Sequence, residues 1–226
     1  MLPSMCGRYV APKKQFIAQK WHIRQPGVDE LLEMRFNAAP TQLLPVIRSH
    51  PQPELVDLRW GLIPSWAKDP AIGAKMINAR GETVAEKPSF RAAFRRRRCL
   101  VPMAGFYEWQ KTASGKVPHY IHLLNEEQFA VAGLWEHWQG GDGVAVESFT
   151  IITTGANALM ARLHERMPVI LPQHLQDAWL DPAYADVAAL HAMLLPYPAE
   201  EMRAYPVSTR VNSVKNDGPD LIAPAG

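Results

Sequence analysis

Short runs of β-branched and aromatic residues, bounded by turn-forming residues, dominate the pattern of apolar positions along this chain. Such runs are typical of strands, and they predict strands at 54–60, 100–109, 119–124, 129–138, 148–154, 167–171 and 202–211. Apolar positions three or four residues apart predict fewer helices, at 14–21, 89–98, 157–163, 175–180 and 185–195. Many strands with few helices between them favour an antiparallel-rich α+β domain over a doubly wound parallel sheet.

Composition and cysteine content narrow the class of protein. The 226 residues are 47% hydrophobic and 20% charged, as in globular proteins long enough for one large domain or two small ones. No apolar run approaches the roughly 20 residues that span a bilayer, and residues 1–10 lack the pattern of a secretory signal. Cys6 and Cys99 form no obvious disulfide framework, which favours a reducing cytoplasm.

A cluster of arginines is the strongest charge feature, although the formal net charge is only +2. Arg91 and the run 95–98 place five of the 24 basic residues in eight positions. Helical spacing puts Arg91, Arg95 and Arg98 on one face of the predicted helix. This face is equally consistent with a solvated basic surface and with an anchor for DNA phosphates.

The remaining local motifs carry no cofactor signature. The chain has neither a phosphate-binding loop nor a dinucleotide fingerprint, and its His, Cys and acidic residues lack zinc-ligand spacing. The glycine-rich stretch at 139–143 separates two predicted strands and is interpreted as a hairpin turn. We therefore expect neither a metal nor an organic cofactor.

Cys6 is the residue with the most distinctive chemistry, because Met5 precedes it. A free cysteine is more often a small buried hydrophobe than a nucleophile. If Cys6 became the N-terminal residue, however, it would carry an α-amine and a thiol on adjacent carbons. An α-amine has a pKa of about 7.7–8.0, against about 10.4 for lysine, so a useful fraction is uncharged near neutral pH. Such an amine condenses with an aldehyde, and the neighbouring thiol then closes a thiazolidine ring, favoured by proximity.

Seven short motifs occur in a fixed order along the chain. They are CGRY at 6–9, RFNAAP at 35–40, WGLIP at 60–64, INARGET at 77–83, GFYEW at 105–109, LHERMP at 163–168 and VKND at 214–217. Together they resemble the SOS response-associated peptidase family, also called abasic-site processing proteins, over residues 5 to about 222. Each motif is weak alone, but seven in the family's order are a specific signal.

This resemblance implies a fold and an activity. The implied fold is a single mixed α+β domain at 6–226 around a distorted, mostly antiparallel β-barrel with peripheral helices. The implied activity belongs to the DNA damage response: an enzyme that binds single-stranded DNA containing abasic sites and forms a covalent thiazolidine cross-link through its terminal cysteine. The resemblance implies no cofactor, and nothing requires more than a monomer. A cytoplasmic protein that joins the nucleoid on damaged DNA is expected.

The family's catalytic positions fall on Cys6, Asn78, Glu108 and His164. Glu108 would transfer protons during Schiff-base formation, with its pKa raised by aromatic neighbours, unless it is a carboxylate on an exposed strand face. His164 would protonate the sugar oxygen during ring opening, unless it only caps a helix. Asn78 would orient the sugar or the amine, unless it is a turn residue that closes a strand.

Five further positions are candidates for DNA binding. Arg8, Arg80 and Arg166 lie within the same motifs and would contact flanking phosphates. Asn37 and Trp66 would line the groove for the strand, with the tryptophan stacking on a base. A core position for Trp66 is an equally open alternative.

The chain departs from the family's pattern at its start, where residues 1–4 precede Met5. The family places its cysteine directly after the initiator, and an uncleaved extension would turn the amine into an unreactive amide. The true start is Met5, or the extension is removed by self-cleavage or another protease, or the protein is inactive as written. A thiol peptidase with Cys6 as nucleophile and His164 as base is the alternative function, and a non-enzymatic single-strand binder is a third.

Overall fold

Strands form most of the fold because short segments of the chain are rich in β-branched and aromatic residues. The computed structural model describes residues 6–26, 34–49, 52–141 and 143–225. The strands in these segments are β1 (Tyr9–Ala11), β2 (Arg35–Ala38), β3 (Leu43–Ser49), β4 (Pro53–Trp60), β5 (Asn78–Arg80), β6 (Arg98–Met103), β7 (Gly105–Thr112), β8 (Gly115–Leu123), β9 (Phe129–Gln139), β10 (Ala145–Gly155), β11 (Arg166–Pro168), β12 (Ile170–Leu171) and β13 (Met202–Pro206).

Helices are short and lie between the strands. The α-helices are α1 (Lys14–Lys20), α2 (Arg91–Arg96), α3 (Gln173–Leu180) and α4 (Val187–Ala192). Single 3-10 turns occur at Pro70–Lys75, Gly81–Thr83, Met160–Arg162, Ala199–Glu201, Thr209–Asn212 and Pro219–Ile222. Within the described ranges, none of these helices has the length and apolar character that a membrane crossing would need.

The larger sheet closes into a barrel. Strands β4, β3, β6, β9 and β10 pair in that order, and β10 pairs again with β4, so the ring has five strands. The β4–β10 pair is parallel, and the other pairs of the ring are antiparallel. Strands β5 and β11 both flank the C-terminal half of β10. This closed, mostly antiparallel barrel with short outer helices confirms the predicted fold class.

The second sheet holds the beginning of the chain against the barrel. Its strands run in the order β13, β8, β7, β1 and β2, and all of its pairs are antiparallel. One core cluster joins both sheets, and in it Tyr9 of β1 meets the ring of Trp60 edge-on at 5.2 Å. A second cluster packs the four α-helices on the outside of the barrel. Because β1 pairs with β7 in antiparallel register, with Tyr9 opposite Phe106, the residues just before Tyr9 lie beside those that follow Phe106.

Four sequence predictions were wrong in their extent. The predicted strand at 100–109 is two strands, β6 and β7, which belong to different sheets. The chain changes sheets at Ala104, next to Gly105, where a Cβ atom would lie 2.4 Å from the Tyr120 ring. The predicted strand at 167–171 is likewise divided into β11 and β12. The strand at 202–211 ends at Pro206, and the helix at 157–163 is only the turn Met160–Arg162.

Other predicted elements are confirmed, with modest changes at their ends. The strands at 54–60, 119–124, 129–138 and 148–154 correspond to β4, β8, β9 and β10, and the stretch at 139–143 connects β9 to β10. The helices at 14–21, 89–98, 175–180 and 185–195 correspond to α1 to α4. Strands β1, β2, β3 and β5 were missed, because three of them have only three or four residues and β3 contains a proline.

Candidate active site

Cys6 lies against Glu108 at the junction of the two sheets. The backbone N–H of Cys6 donates a hydrogen bond to Oε2 of Glu108 at 3.1 Å, although 102 positions separate the two residues in sequence. Antiparallel pairing of β1 with β7, in which Tyr9 faces Phe106, creates this contact. Cys6 is 4% exposed and has a φ of +47°, a left-handed conformation that is uncommon outside glycine. The nitrogen that would become an α-amine is therefore held at a carboxylate.

Glu108 is buried, so its interpretation as an exposed strand residue is wrong. Side chains alternate along β7, and Glu108 follows Phe106 on the face that meets the barrel. Burial raises the pKa of Glu108, and the Cys6 N–H, the charge of His164 and the Trp109 N–H act in the opposite direction. The second oxygen, Oε1, accepts the Trp109 N–H at 3.2 Å. A carboxyl group whose pKa is raised in this way holds its proton more readily than an exposed glutamate, as a general acid requires.

The thiol of Cys6 shares this environment. Burial raises its pKa well above the usual range, the neighbouring Glu108 raises it further, and Arg166 acts in the opposite direction. The thiol is therefore protonated at neutral pH. A reaction at its sulfur requires a group that accepts the proton, and Glu108 is the titratable neighbour with the largest effect on the thiol.

His164 and Arg166 approach from the barrel side. His164 is half-buried in the short connection between the turn Met160–Arg162 and β11. Its Nδ1 accepts the backbone N–H of Arg166 at 3.1 Å, so the neutral ring carries its hydrogen on Nε2. This contact fixes the orientation of the ring, and the side chain does not cap a helix.

Asn78 and Arg80 stand on β5, beside β10. Asn78 pairs with Ile151 and Arg80 pairs with Thr153, in parallel register. Because β11 flanks the same end of β10, Asn78 and Arg166 lie at one end of the barrel. Asn78 is half-buried and begins a strand, so its interpretation as a turn residue that closes a strand is wrong; Arg80 is exposed.

Comparison with known proteins identifies the family. The sequence profile described as SOS response associated peptidase (SRAP) matches residues 5–214. The chain belongs to this family. It is 44% identical over 221 residues to the abasic site processing protein YoqW of Bacillus subtilis, covering 96% of this chain and 99% of that protein.

A vertebrate relative and a solved structure agree with this assignment. Abasic site processing protein HMCES of Gallus gallus is 36% identical over 224 residues, covering 84% of this chain and 66% of that protein. A crystal structure of a protein from Bacteroides thetaiotaomicron has a TM-score of 0.88 at 29% identity, covering 97% of this chain and 99% of that one. Membership of the SRAP family, predicted from the motifs, is confirmed.

In this SRAP protein, Arg8 and Asn37 are buried and make internal contacts. Nη1 of Arg8 donates to Oδ1 of Asn37 and to the carbonyl of Val211, both at 2.9 Å. Nδ2 of Asn37 donates to the carbonyls of Ser213 at 3.0 Å and Asn216 at 2.8 Å. The two side chains fasten the segment 211–216 beside the site, and direct contact of either with DNA stays a prediction.

Trp66 is on the surface, so the core interpretation of this residue is wrong. It is 57% exposed, in the connection between β4 and the turn Pro70–Lys75. Stacking of its ring on a base of DNA stays a prediction, and the exposed ring is available for it.

The arginine cluster divides into exposed and buried members. Arg98 is 2% exposed, and its guanidinium donates to backbone carbonyls of α2 and of the chain around the end of α3. A phosphate contact by Arg98 is therefore excluded, because its charge is enclosed. Arg91 and Arg95 are exposed on α2 and remain compatible with both earlier interpretations.

Sequence reasoning assigned no role to Glu82, which the structure places at the site. Its carboxylate pairs with both terminal nitrogens of the Arg166 guanidinium. The signal was present in the motif INARGET, where an acidic residue follows Arg80 by two positions. The described part of the chain contains no group of three His, Cys, Asp or Glu side chains arranged to hold a metal ion.

Proposed function

We propose that this chain binds single-stranded DNA at abasic sites and captures the damaged sugar as a covalent thiazolidine on Cys6, in the DNA damage response. The observation that carries the proposal is the 3.1 Å hydrogen bond from the Cys6 nitrogen to Oε2 of buried Glu108. When Cys6 is the first residue of the chain, this nitrogen is the α-amine. The names of YoqW and HMCES, both abasic site processing proteins, support the same class of lesion.

The first step joins the amine to the sugar. His164 gives its Nε2 proton to the ring oxygen O4′ as the C1′–O4′ bond breaks, and the proton of the C1′ hydroxyl returns to Nε2 through water. This leaves an aldehyde at C1′ and a neutral imidazole, while Asn78 orients the sugar. The neutral amine of Cys6 adds to the aldehyde carbon. Glu108, whose raised pKa favours its protonated form, gives its proton to the departing hydroxyl group. Water leaves, a protonated Schiff base forms, and Glu108 becomes a carboxylate.

The second step closes the ring. The sulfur of Cys6 forms a bond to the Schiff-base carbon, and the thiol proton passes to the Glu108 carboxylate. The C=N double bond becomes a single bond to a neutral nitrogen, and Glu108 is again protonated. Because the pKa of the thiol is raised, this step needs a proton acceptor. The Glu108 carboxylate that forms in the first step is that acceptor, so one buried group serves both steps.

The strand is held by residues around this site. In the proposal, Arg80 and Arg166 bind the flanking phosphates and Trp66 stacks on a neighbouring base. Arg8 and Asn37 shape the groove through the segment 211–216 that they fasten. The protein acts as a monomer in the cytoplasm and is bound at the nucleoid while it occupies damaged DNA.

Capture of an abasic oligonucleotide tests the proposal. Protein that begins at Cys6, verified by intact mass, is mixed with single-stranded DNA containing one abasic site and separated on a denaturing gel. We expect a slowly migrating species that survives heating. Cys6→Ser keeps the amine and loses the thiol, so its adduct should need borohydride reduction to survive, whereas Glu108→Gln should form the adduct slowly.

Cys99→Ala is the matched control, because it removes the other thiol of a chain with two cysteines. Cys99 is buried in the core and lies outside the site, so this variant should capture the lesion as the unsubstituted protein does. Absence of any shifted species with protein of confirmed mass would refute the proposed function.

A second function, removal of residues 1–5 by the chain itself, is favoured by the same contact. The left-handed φ of Cys6 and the Glu108 carboxyl group at its amide nitrogen suit cleavage of the bond before Cys6. We infer that the sulfur attacks the Met5 carbonyl carbon, the C–N bond breaks and the thiol proton passes to the nitrogen, which leaves a thioester and a free amine. Water then hydrolyses the thioester, which returns the thiol and leaves Met5 with a carboxylate.

Intact mass measured over time distinguishes this function from processing by another protease. A purified chain that carries residues 1–5 should lose them, and Cys6→Ser should keep them. Equal trimming of the serine variant would exclude self-cleavage.

A further inference from the structure

Arg166 is held in place from the protein side. It begins β11, and its side chain is 12% exposed. Nη2 donates to the backbone carbonyl of Thr153 on β10 at 2.8 Å, which fixes the plane of the guanidinium. The backbone N–H of Arg166 donates to Nδ1 of His164 at 3.1 Å, so Arg166 borders the candidate site.

The outward side of this guanidinium is occupied by Glu82. Both carboxylate oxygens pair with it, Oε1 with Nη1 and Oε2 with Nη2, the latter at 2.8 Å. Arg166 is the largest cause that lowers the pKa of Glu82, and Arg80 contributes in the same direction. Glu82 is therefore ionised at neutral pH, and its carboxylate pairs with Arg166, one of the two arginines assigned to flanking phosphates.

A carboxylate and a phosphate present the same pair of oxygens to a guanidinium. Glu82 is 52% exposed, so it can leave the pair, whereas Arg166 is anchored by Thr153. We propose that Glu82 is an internal competitor for DNA: its carboxylate occupies Arg166 in the free protein and yields that position to a backbone phosphate. This inference rests on the proposed binding of single-stranded DNA. It gives Glu82 a role in the affinity for DNA and no role in the covalent chemistry.

Competition of this kind has a measurable signature. When single-stranded DNA displaces Glu82 from Arg166, the negative charge of Glu82 stays beside the bound phosphate. This charge reduces the net number of counterions that the DNA releases on binding. Removing the charge should therefore strengthen binding and also steepen its salt dependence. If Glu82 served only to position Arg166, its removal would weaken DNA binding, because the guanidinium would be less ordered.

Glu82→Gln tests the inference with undamaged, fluorescently labelled single-stranded DNA, followed by anisotropy over a range of salt concentrations. We expect binding roughly two- to fivefold tighter at low salt, the range of an exposed ion pair. The plot of log K against log salt should become steeper by about 0.7, one extra charge on a single strand. Glu82→Asp keeps the charge and should retain the original slope.

Glu147→Gln is the matched control. Glu147 is also partly exposed and paired with an arginine, Arg48, on the same strand β10. It lies six residues from Thr153, or about 20 Å along the strand, so this variant should keep both the affinity and the slope.

Equal or weaker binding by Glu82→Gln would overturn the inference, as would tighter binding with an unchanged slope or an equal effect of Glu147→Gln. If the binding results are as expected but the unsubstituted protein fails to capture abasic DNA, the covalent chemistry is overturned and the role of Glu82 stays supported. Failure of the unsubstituted protein to bind any single strand would overturn both.

Discussion

Arg98 offers the sharpest test of how tertiary contacts decide the role of a basic residue. Its five guanidinium N–H groups point at backbone carbonyls, and the side chain is 2% exposed. The acceptors are the carbonyls of Trp179, Phe94, Arg95, Asp181 and Tyr184. This guanidinium therefore ties the end of α2 to the end of α3 and the turn that follows it.

Arg98→Lys keeps the charge but leaves three donors for five acceptors. At least two carbonyls lose their donor, and those of Trp179 and Phe94 are buried whereas the other three are only partly buried. An unsatisfied buried polar group costs about 1–3 kcal/mol and a partly exposed one costs less, so we expect the free energy of unfolding to fall by about 1–4 kcal/mol. With a urea slope of about 2–3 kcal/mol/M, the unfolding midpoint should fall by roughly 0.3–2 M.

Urea unfolding followed by tryptophan fluorescence measures this change, with Arg96→Lys as the control. Arg96 is exposed at the end of α2, two positions before Arg98, so its substitution should alter stability by less than about 0.5 kcal/mol. Unchanged stability of Arg98→Lys would refute the reasoning, because it would mean that the five hydrogen bonds of Arg98 do not hold the ends of α2 and α3 together.

Two further predictions concern the site. Because the pKa of Glu108 is raised, the folded state holds the carboxyl proton more tightly than the unfolded state does. The contribution of this proton to the free energy of unfolding is therefore present at low pH and is lost as the pH rises through the pKa of the folded state. Glu108→Gln should therefore be more stable than the unsubstituted protein at pH 8, with a melting-temperature difference that shrinks towards pH 4; a difference independent of pH would contradict this. Trp66→Ala should weaken single-strand binding by about 1–3 kcal/mol without lowering the melting temperature, because the ring is 57% exposed. Leu43→Ala, at a 67% exposed position, should leave binding unchanged, and an equal loss in both variants would exclude stacking by Trp66.

Local patterns were sufficient for the longer strands β4, β8, β9 and β10 and for the chemistry of single residues. A run rich in β-branched and aromatic residues predicted a strand around Glu108, and the aromatic neighbours of Glu108 predicted desolvation of its carboxyl group, which burial at this position bears out. The abundance of strands over helices likewise predicted the α+β class. These features are readable because side-chain direction in a strand depends only on the parity of sequence position.

Pairing across the chain decided the rest. The sequence alone determined the strand-rich class, the order of the motifs and the residue types available for Schiff-base chemistry. Only the tertiary structure brought Cys6 to Glu108 across 102 positions, made Arg98 a clamp for two helices, and placed Glu82 on Arg166. The physical reason is that these contacts depend on which strands pair and where the barrel closes. Strand pairing joins segments distant in sequence, and no local period records the partner of a given strand.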